Sequence, residues 1–312
     1  MPLIELTSRW NSSPEHDSVS EQISNVFSHG GSLNLDHSPF GRIENDLLDF
    51  RGYSARQMRI RDVIIRDANF SLADFSASWM EAGRFENCLF EGTDFSDIAD
   101  HGNTFYRCKF LKCNFSRAVL GYKGSKFNDC RFQECNFTRA GFVRAEFTDT
   151  DFTRCKLKGI DFNGSSFHNC KFEGLLEDVW FRGTFPHDAL FEMFGQPRPN
   201  RMLNVSFENA DLIDLTISDG CDLSTVKLKD NGKLLRYDDW FRRVQFLEKQ
   251  LEAWDGELQK NEATRFVYVA KVHAQHQKWA IVNIDDLDRH FGGLEVARKI
   301  IDTLNSYATH RE

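Results

Sequence analysis

The residues most able to do chemistry in this chain are its eight cysteines: Cys88, Cys108, Cys113, Cys130, Cys135, Cys155, Cys170 and Cys221. Cys108/Cys113 and Cys130/Cys135 form two Cys-x4-Cys pairs, a spacing that can serve zinc. Their surroundings argue against it. Each cysteine stands two places before a bulky apolar residue: Phe90, Phe110, Phe115, Phe132, Phe137, Leu157, Phe172 and Leu223. A thiol tied to one position of a recurring pattern behaves as a compact apolar group. Structural thiols are therefore expected, without disulfides or zinc. His273 and His276 lie three apart on a predicted helix, but no carboxylate or Cys stands at matching helical spacing, so a surface or interface pair is expected. Asp285, Asp286, Asp288 and His290 cluster at a predicted helix start, where acids suit the helix dipole. The sequence holds no phosphate-binding glycine loop, nucleophile elbow or paired metal motif. No enzyme activity, catalytic residue, metal or cofactor is expected.

The elements that position these residues follow from the bulky partners. A Phe, Leu, Ile or Met returns every fifth residue, through Ile60, Ile65, Phe70, Phe75, Met80, Phe85, Phe90 and Phe95. Asp100 interrupts the beat and predicts a loop or bulge at one corner. Phe105, Phe110, Phe115 and Leu120 resume it. The next member is Phe127, so Gly121-Tyr122-Lys123-Gly124 carries a two-residue insertion, and its glycines suit a turn. The beat then runs from Phe132 to Phe172. A helix requires a return near 3.6 and a flat strand a return of 2. A five-residue return with inward residues at i and i−2 means that the chain turns a corner after each short extended piece. Four sides close a coil of about twenty residues, and coils stack at the strand spacing of about 4.8 Å. Composition agrees: Phe occurs 29 times against 6 Tyr and 6 Trp. One side-chain shape is being used repeatedly.

Units such as Asp67-Ala68-Asn69-Phe70-Ser71, Cys113-Asn114-Phe115-Ser116 and Cys135-Asn136-Phe137-Thr138 carry a further signal. The pattern A/C-D/N-F/L-S/T resembles that of the pentapeptide repeat family over about residues 48–174 and again over 203–229. The resemblance implies a mainly β fold, a right-handed quadrilateral β-helix, here with a C-terminal α-helical domain. The place before the central residue, usually Asp or Asn in that family, holds Lys109, Arg131, Lys156 and Lys171. These positions point outward and alter the surface alone.

Three segments are expected: residues 1–47 as an N-terminal arm or cap, 48–232 as the β-helix with an insertion at 175–202, and 233–312 as a helical capping or dimerisation region. In the first, Ser13 and Pro14 suit a helix start, Pro14–Phe27 its body and Gly30-Gly31 its end. In the insertion, a short helix is placed around His187 to Phe194, and Trp180 and Phe181 are candidate partner contacts beside it. After about Tyr237, Trp240, Val244, Leu247, Leu251 and Trp254 are spaced four, three, four, three. That is an a/d seam and a candidate dimer or partner interface. Further helices are expected over Asn261–Ala280, with Phe266, Val267, Ala270 and Trp279 on its apolar side, over Asn283–Phe291, and over Leu294–Tyr307.

Charge sets the function classes. The formal net charge of −8 gives no global case for nucleic acid. No run approaches the length of a membrane span, and the N-terminus lacks a secretory layout, so a cytoplasmic protein is expected. Along the array the charge alternates. Residues 61–100 hold three bases and nine acids, 101–160 twelve bases and five acids, and 161–232 six bases and twelve acids. Lys109, Lys112, Arg131, Arg139, Arg144 and Lys156 are the candidate partner-binding residues of this basic middle. The expected function is a non-catalytic protein-interaction scaffold. It would use the β-helix faces, the insertion and a helical interface able to form a homodimer. The resemblance implies an alternative, since some pentapeptide repeat proteins mimic DNA and regulate or protect a type II topoisomerase (gyrase). Nucleic-acid binding through the basic belt is the second alternative.

Overall fold

The computed structural model describes residues 3–10, 14–184, 192–193, 196 and 198–310. Each repeat unit runs extended for two or three residues and then turns through a residue of positive φ, as at Asp67, Leu72, Ala77, Ala82, Asn87 and Gly92. A left-handed residue with a Cβ costs on the order of 1 kcal/mol, less for Asn and Asp and nothing for Gly. That explains the corners Asp62, Asp67, Asn87 and Asp97. Leu72, Ala77 and Ala82 are held there by the hydrogen bonds of the coils around them.

The sides stack into a right-handed quadrilateral β-helix. Three faces are sheets of seven, ten and eight strands. The first includes Val63–Arg66, Arg84–Glu86, Thr104–Tyr106 and Lys126–Asn128. The second includes Leu89–Glu91, Lys109–Leu111, Arg131–Gln133 and Asp151–Thr153. The fourth includes Trp79–Glu81, Ala99–His101, Val119–Tyr122 and Gly141–Val143. The third face is joined by isolated parallel bridges, running Ser54, Asp74, Asp94, Asn114, Asn136, Lys156. The array starts earlier than the sequence suggests. Leu33–Leu35 already pairs in parallel with residues 63–65.

Parallel registry places like residues on one another. On the second face the ring centroids of Phe70, Phe90, Phe110, Phe132, Phe152 and Phe172 follow at 5.4, 5.0, 4.6, 5.0 and 4.9 Å, stacked nearly parallel. Shorter columns stand behind the other faces, such as Phe95, Phe115 and Phe137 at 4.8 and 5.0 Å. All eight thiols are buried and unbridged. Most donate to a carbonyl of the coil before. Cys113 Sγ reaches Phe90 O at 3.1 Å and Cys135 Sγ reaches Phe110 O at 3.2 Å. Thr93 and Thr150 fill the same slot, with hydroxyls 2.8 and 3.0 Å from Phe70 O and Phe127 O. The slot therefore selects a small side chain, such as Ala68, Ala73, Ala118, Ala140 and Ala145, and accommodates a donor where one is present, a weak one in cysteine. Burial pushes the Cys170 thiol up to about 12.

Two ends need closing. Helix α1 (Leu3–Ser8) and helix α2 (Pro14–His29) close the first. Trp10 stacks on Phe50 at 6.2 Å and so continues the aromatic column. Arg9 and Arg51 both grip Asp49, at 2.7 and 2.9 Å. Burial alone would raise that carboxyl, but the two guanidiniums outweigh it and hold Asp49 well below the usual carboxylate range. Gly52 lets α1 approach, since a Cβ there would lie 2.5 Å from Leu6 O. Helix α2 extends two residues beyond its expected end, and Ser13 lies outside the described residues.

The last coil is closed by Gln277. Its Oε1 accepts from Gly220 N and Cys221 N at 3.0 and 3.1 Å, and its Nε2 donates to Cys221 O at 2.8 Å. Arg236 donates to Leu223 O and Val226 O at 2.9 and 2.8 Å. Beyond lies a helical unit with its own core: α3 (Trp240–Gln250), α4 (Glu257–Ala274), α5 (Ile284–His290) and α6 (Leu294–Ser306). The helix expected over Asn261–Ala280 stops at Ala274. Ala280–Asn283 is instead a strand, antiparallel to Leu234–Tyr237. Trp279 packs at the edge of the β-helix core. No helix among the described residues is long and apolar enough to cross a membrane.

Candidate functional site

The outward columns of the β-helix are its natural contact surface. Lys109 and Arg131 are partners in register on the second face, and Lys112 stands at the next corner. Lys156 ends the third-face column and Arg139 lies at the corner between the third and fourth faces. These five side chains are exposed and form no ion pair among the described residues. Arg144 departs from expectation: it is buried and presents no charge to a partner. Other bases of the middle are matched by acids one or two coils away. Arg117 meets Asp97 at 2.6 Å, Lys123 meets Glu81 at 2.7 Å and Lys158 meets Glu177 at 2.7 Å. Exposed pairs of this kind are screened by water and contribute little to stability. Their effect is to thin the positive field and divide it among several sides.

The third face carries a polar ladder. Asn114 Nδ2 donates to Asp94 Oδ1 at 3.0 Å, and Asn136 Nδ2 donates to Asn114 Oδ1 at 3.2 Å. Each of these side chains also accepts from the backbone N–H two residues on, at 2.9 to 3.2 Å. The Asp and Asn of the repeat pattern are therefore spent on local turns and on neighbouring coils.

The insertion begins later than the sequence suggests. After Phe172 the beat shortens by one residue, so Leu176 and then Phe181 become central residues. Phe181 is buried and stacks on Phe162 at 5.0 Å, so it is core and offers no contact surface. Trp180 faces outward, half-buried, with the Arg182 guanidinium 3.5 Å over its ring and Nε1 donating to Ser218 Oγ at 2.7 Å. The chain leaves the coil after Gly183 and rejoins it at Asn200, whose N donates to Gly183 O at 2.8 Å. Most of the stretch His187 to Phe194 lies outside the described residues.

The a/d seam faces inward. Trp240, Val244, Leu247 and Leu251 are buried against α4 and α6 within the chain's own helical core. Trp254 is partly buried beneath Lys299, whose Nζ lies 4.2 Å from the ring. Two contacting chains cannot share a surface already covered by neighbouring helices. The exposed apolar residues lie instead on the other side of α4. Leu258, Tyr268, Val269 and Val272 are 71, 75, 53 and 63 % exposed. At 100° per residue they fall within one arc of about 100°, which also holds Asn261 and Arg265. The sequence reading missed this arc because it gave α4 a single apolar side.

Asp100 is the one central residue of the array with a charge. It keeps its place in the strand, paired with Met80. The bulge falls on its other side, where His101 pairs with Tyr122. Its carboxylate accepts from Asn103 Nδ2 at 2.5 Å and from Gly121 N at 2.8 Å, so it binds the start of the two-residue insertion. Complete burial outweighs these bonds and pushes its pKa up to about 6. His273 and His276 do not converge. His273 meets Trp180 edge-on and His276 is exposed beyond the helix end.

Residues 103–179 match the model of the pentapeptide repeat region. The array is a pentapeptide repeat β-helix. No curated protein matches the chain. Among solved structures, HetL, a pentapeptide repeat protein involved in heterocyst differentiation regulation in the cyanobacterium Nostoc, is similar at 12 % identity. It covers 67 % of this chain and 92 % of its own, with a TM-score of 0.40. QnrB1, a plasmid-mediated fluoroquinolone resistance protein, is similar at 15 % identity over 55 % of this chain and 92 % of its own, with a TM-score of 0.33.

Proposed function

We propose that the protein is an interaction scaffold whose helical unit docks a second copy of the chain through the outer face of α4. The observation that carries this is the arc of Leu258, Tyr268, Val269 and Val272, exposed apolar side chains on the side of α4 opposite its buried Ala263, Phe266 and Val267. A two-fold axis at Arg265 sets Leu258 against Val272, each seven residues from it, and places Arg265 beside its copy, where the ion pair with Glu262 offsets the like charge. Closed two-fold pairing is the commonest solution for such a patch. The rigid β-helix would then project from each side of the dimer and present its basic corner and column residues to a further partner. Light scattering tests this directly. The wild type should run at twice 36.2 kDa, and Val272→Glu, at an exposed site, should run as a folded monomer. A wild-type monomer at every concentration would remove the dimer.

DNA mimicry of a topoisomerase substrate fits less well. The outward column of the second face reads Asn69, Leu89, Lys109, Arg131, Asp151, Lys171, with cations where phosphate-like charge is required. A gyrase supercoiling assay with no inhibition or protection is the expected result.

A further inference from the structure

A cleft of about 360 Å³ opens between the last coils of the β-helix and the helical unit. Its walls are apolar: Leu215 and Ile217 on one side, and Trp240, Phe266 and Phe291 on the other. One end is different. Asp178, Asp214, Asp286 and His290 line it, while no Lys or Arg does. The volume and the mixture of apolar wall with a few convergent polar groups are those of small-molecule sites.

The acids are fixed by the joint itself. Asp214 accepts from His290 Nε2 at 2.7 Å, and its own N–H donates to Asp286 Oδ2 at 3.0 Å. Arg289 stands outside the lining, 3.5 Å from Asp214 and 3.3 Å from Asp286. Asn283 Nδ2 donates to Leu212 O at 2.7 Å and holds the two units together there. Asp178 sits at a coil corner, its N–H on Ile213 O, and its carboxylate forms no ion pair among the described residues. Burial, with the nearby Asp214 charge, holds Asp286 above the ordinary carboxylate range. A half-buried acid next to other acids is a place where added positive charge is stabilised.

We propose that this cleft binds a compact organic cation, an ammonium group on an aromatic or branched apolar body. The body lies against Ile217, Phe266 and Phe291, and the ammonium group faces Asp178, Asp214 and Asp286. The cleft adjoins the α4 arc at Val269, and the groups that would hold the cation all belong to one chain.

Isothermal titration calorimetry with three probes of one shape tests it: 2-phenylethylammonium, 2-phenylethanol and phenylacetate. The ammonium ion should bind saturably at one site per chain, about tenfold or more tighter than the alcohol, and phenylacetate should not bind. Asp178→Asn, at an exposed corner, should weaken the ammonium ion several-fold and leave the alcohol unchanged. Thr216→Trp should fill the cleft and abolish binding while the unfolding midpoint stays in place. Equal affinity for ammonium ion and alcohol, or no saturable binding of any probe at millimolar concentration, would overturn the proposal. So would full ammonium affinity in folded Thr216→Trp.

Discussion

Asp100 gives the sharpest quantitative test. Its carboxyl titrates at about 6 when folded and at an ordinary carboxylate value of about 3.8 when unfolded. The native state therefore binds the proton more tightly. Between those values stability must fall as pH rises, at up to about 1.4 kcal/mol per unit. The interval of roughly two units makes the full effect about 3 kcal/mol, with the protein more stable on the acid side as far as this group is concerned. Other carboxylates act oppositely. Asp49, held low by Arg9 and Arg51, contributes stability above pH 4 that is lost as pH falls. The measurement must therefore be differential. Urea unfolding of wild type and Asp100→Asn at steps between pH 4.5 and 7.5 isolates the group, since contributions of distant sites cancel in the difference. The variant loses one acceptor, facing either Gly121 N–H or Asn103 Nδ2, and should be the less stable protein at pH 4.5. Its stability should then decline less with pH, the two curves converging by about 2 kcal/mol, the part of the full effect that lies above pH 4.5. Parallel curves across the window would refute the claim that a charge is buried at this position.

Other consequences are simpler. Phe110→Ala removes a ring stacked between Phe90 and Phe132 and should cost about 3–5 kcal/mol in urea unfolding. Ala82→Gly, at an exposed corner of φ 54°, should raise stability by up to about 1 kcal/mol by relieving left-handed strain. The eight buried thiols should resist iodoacetamide in the native protein and all react in urea, as mass spectrometry would record.

The β-helix was legible because its burial is periodic. Every fifth side chain goes to the axis, and no helix or flat strand reproduces that beat. The thiols followed from the same register. What sequence could not supply was the identity of the covering surface. The heptad spacing from Trp240 to Trp254 correctly marks a buried stripe, but it says nothing about which helix lies over it, and here α4 and α6 of the same chain do so. In α4 apolar residues occur on two arcs, and sequence cannot tell the covered arc of Phe266 and Val267 from the bare one of Tyr268 and Val272. Phe181 was misread because one missing residue after Phe172 moves the beat out of phase and resembles the end of the array. The strand Ala280–Asn283 was hidden by its partner, which lies more than forty residues earlier, at Leu234–Tyr237. Among the site residues, Lys109, Lys112, Arg131, Arg139 and Lys156 lie outside as their register requires, whereas Arg144 shares a corner position yet is buried.

The two-residue insertion at Gly121 has a consequence for how such a chain can change. It swells one corner, is tied down by Asp100, and leaves the columns above it in line, as Phe105 over Phe127 shows. A gain of one whole unit of five would do something different. It would leave each local contact type intact yet turn everything after it by a quarter of a revolution. The helical unit would then stand above another face, and Lys109 and Arg131 would point elsewhere relative to the α4 arc. Repeat number in this architecture therefore acts as an angular setting, and small bulges are the changes that leave that setting alone.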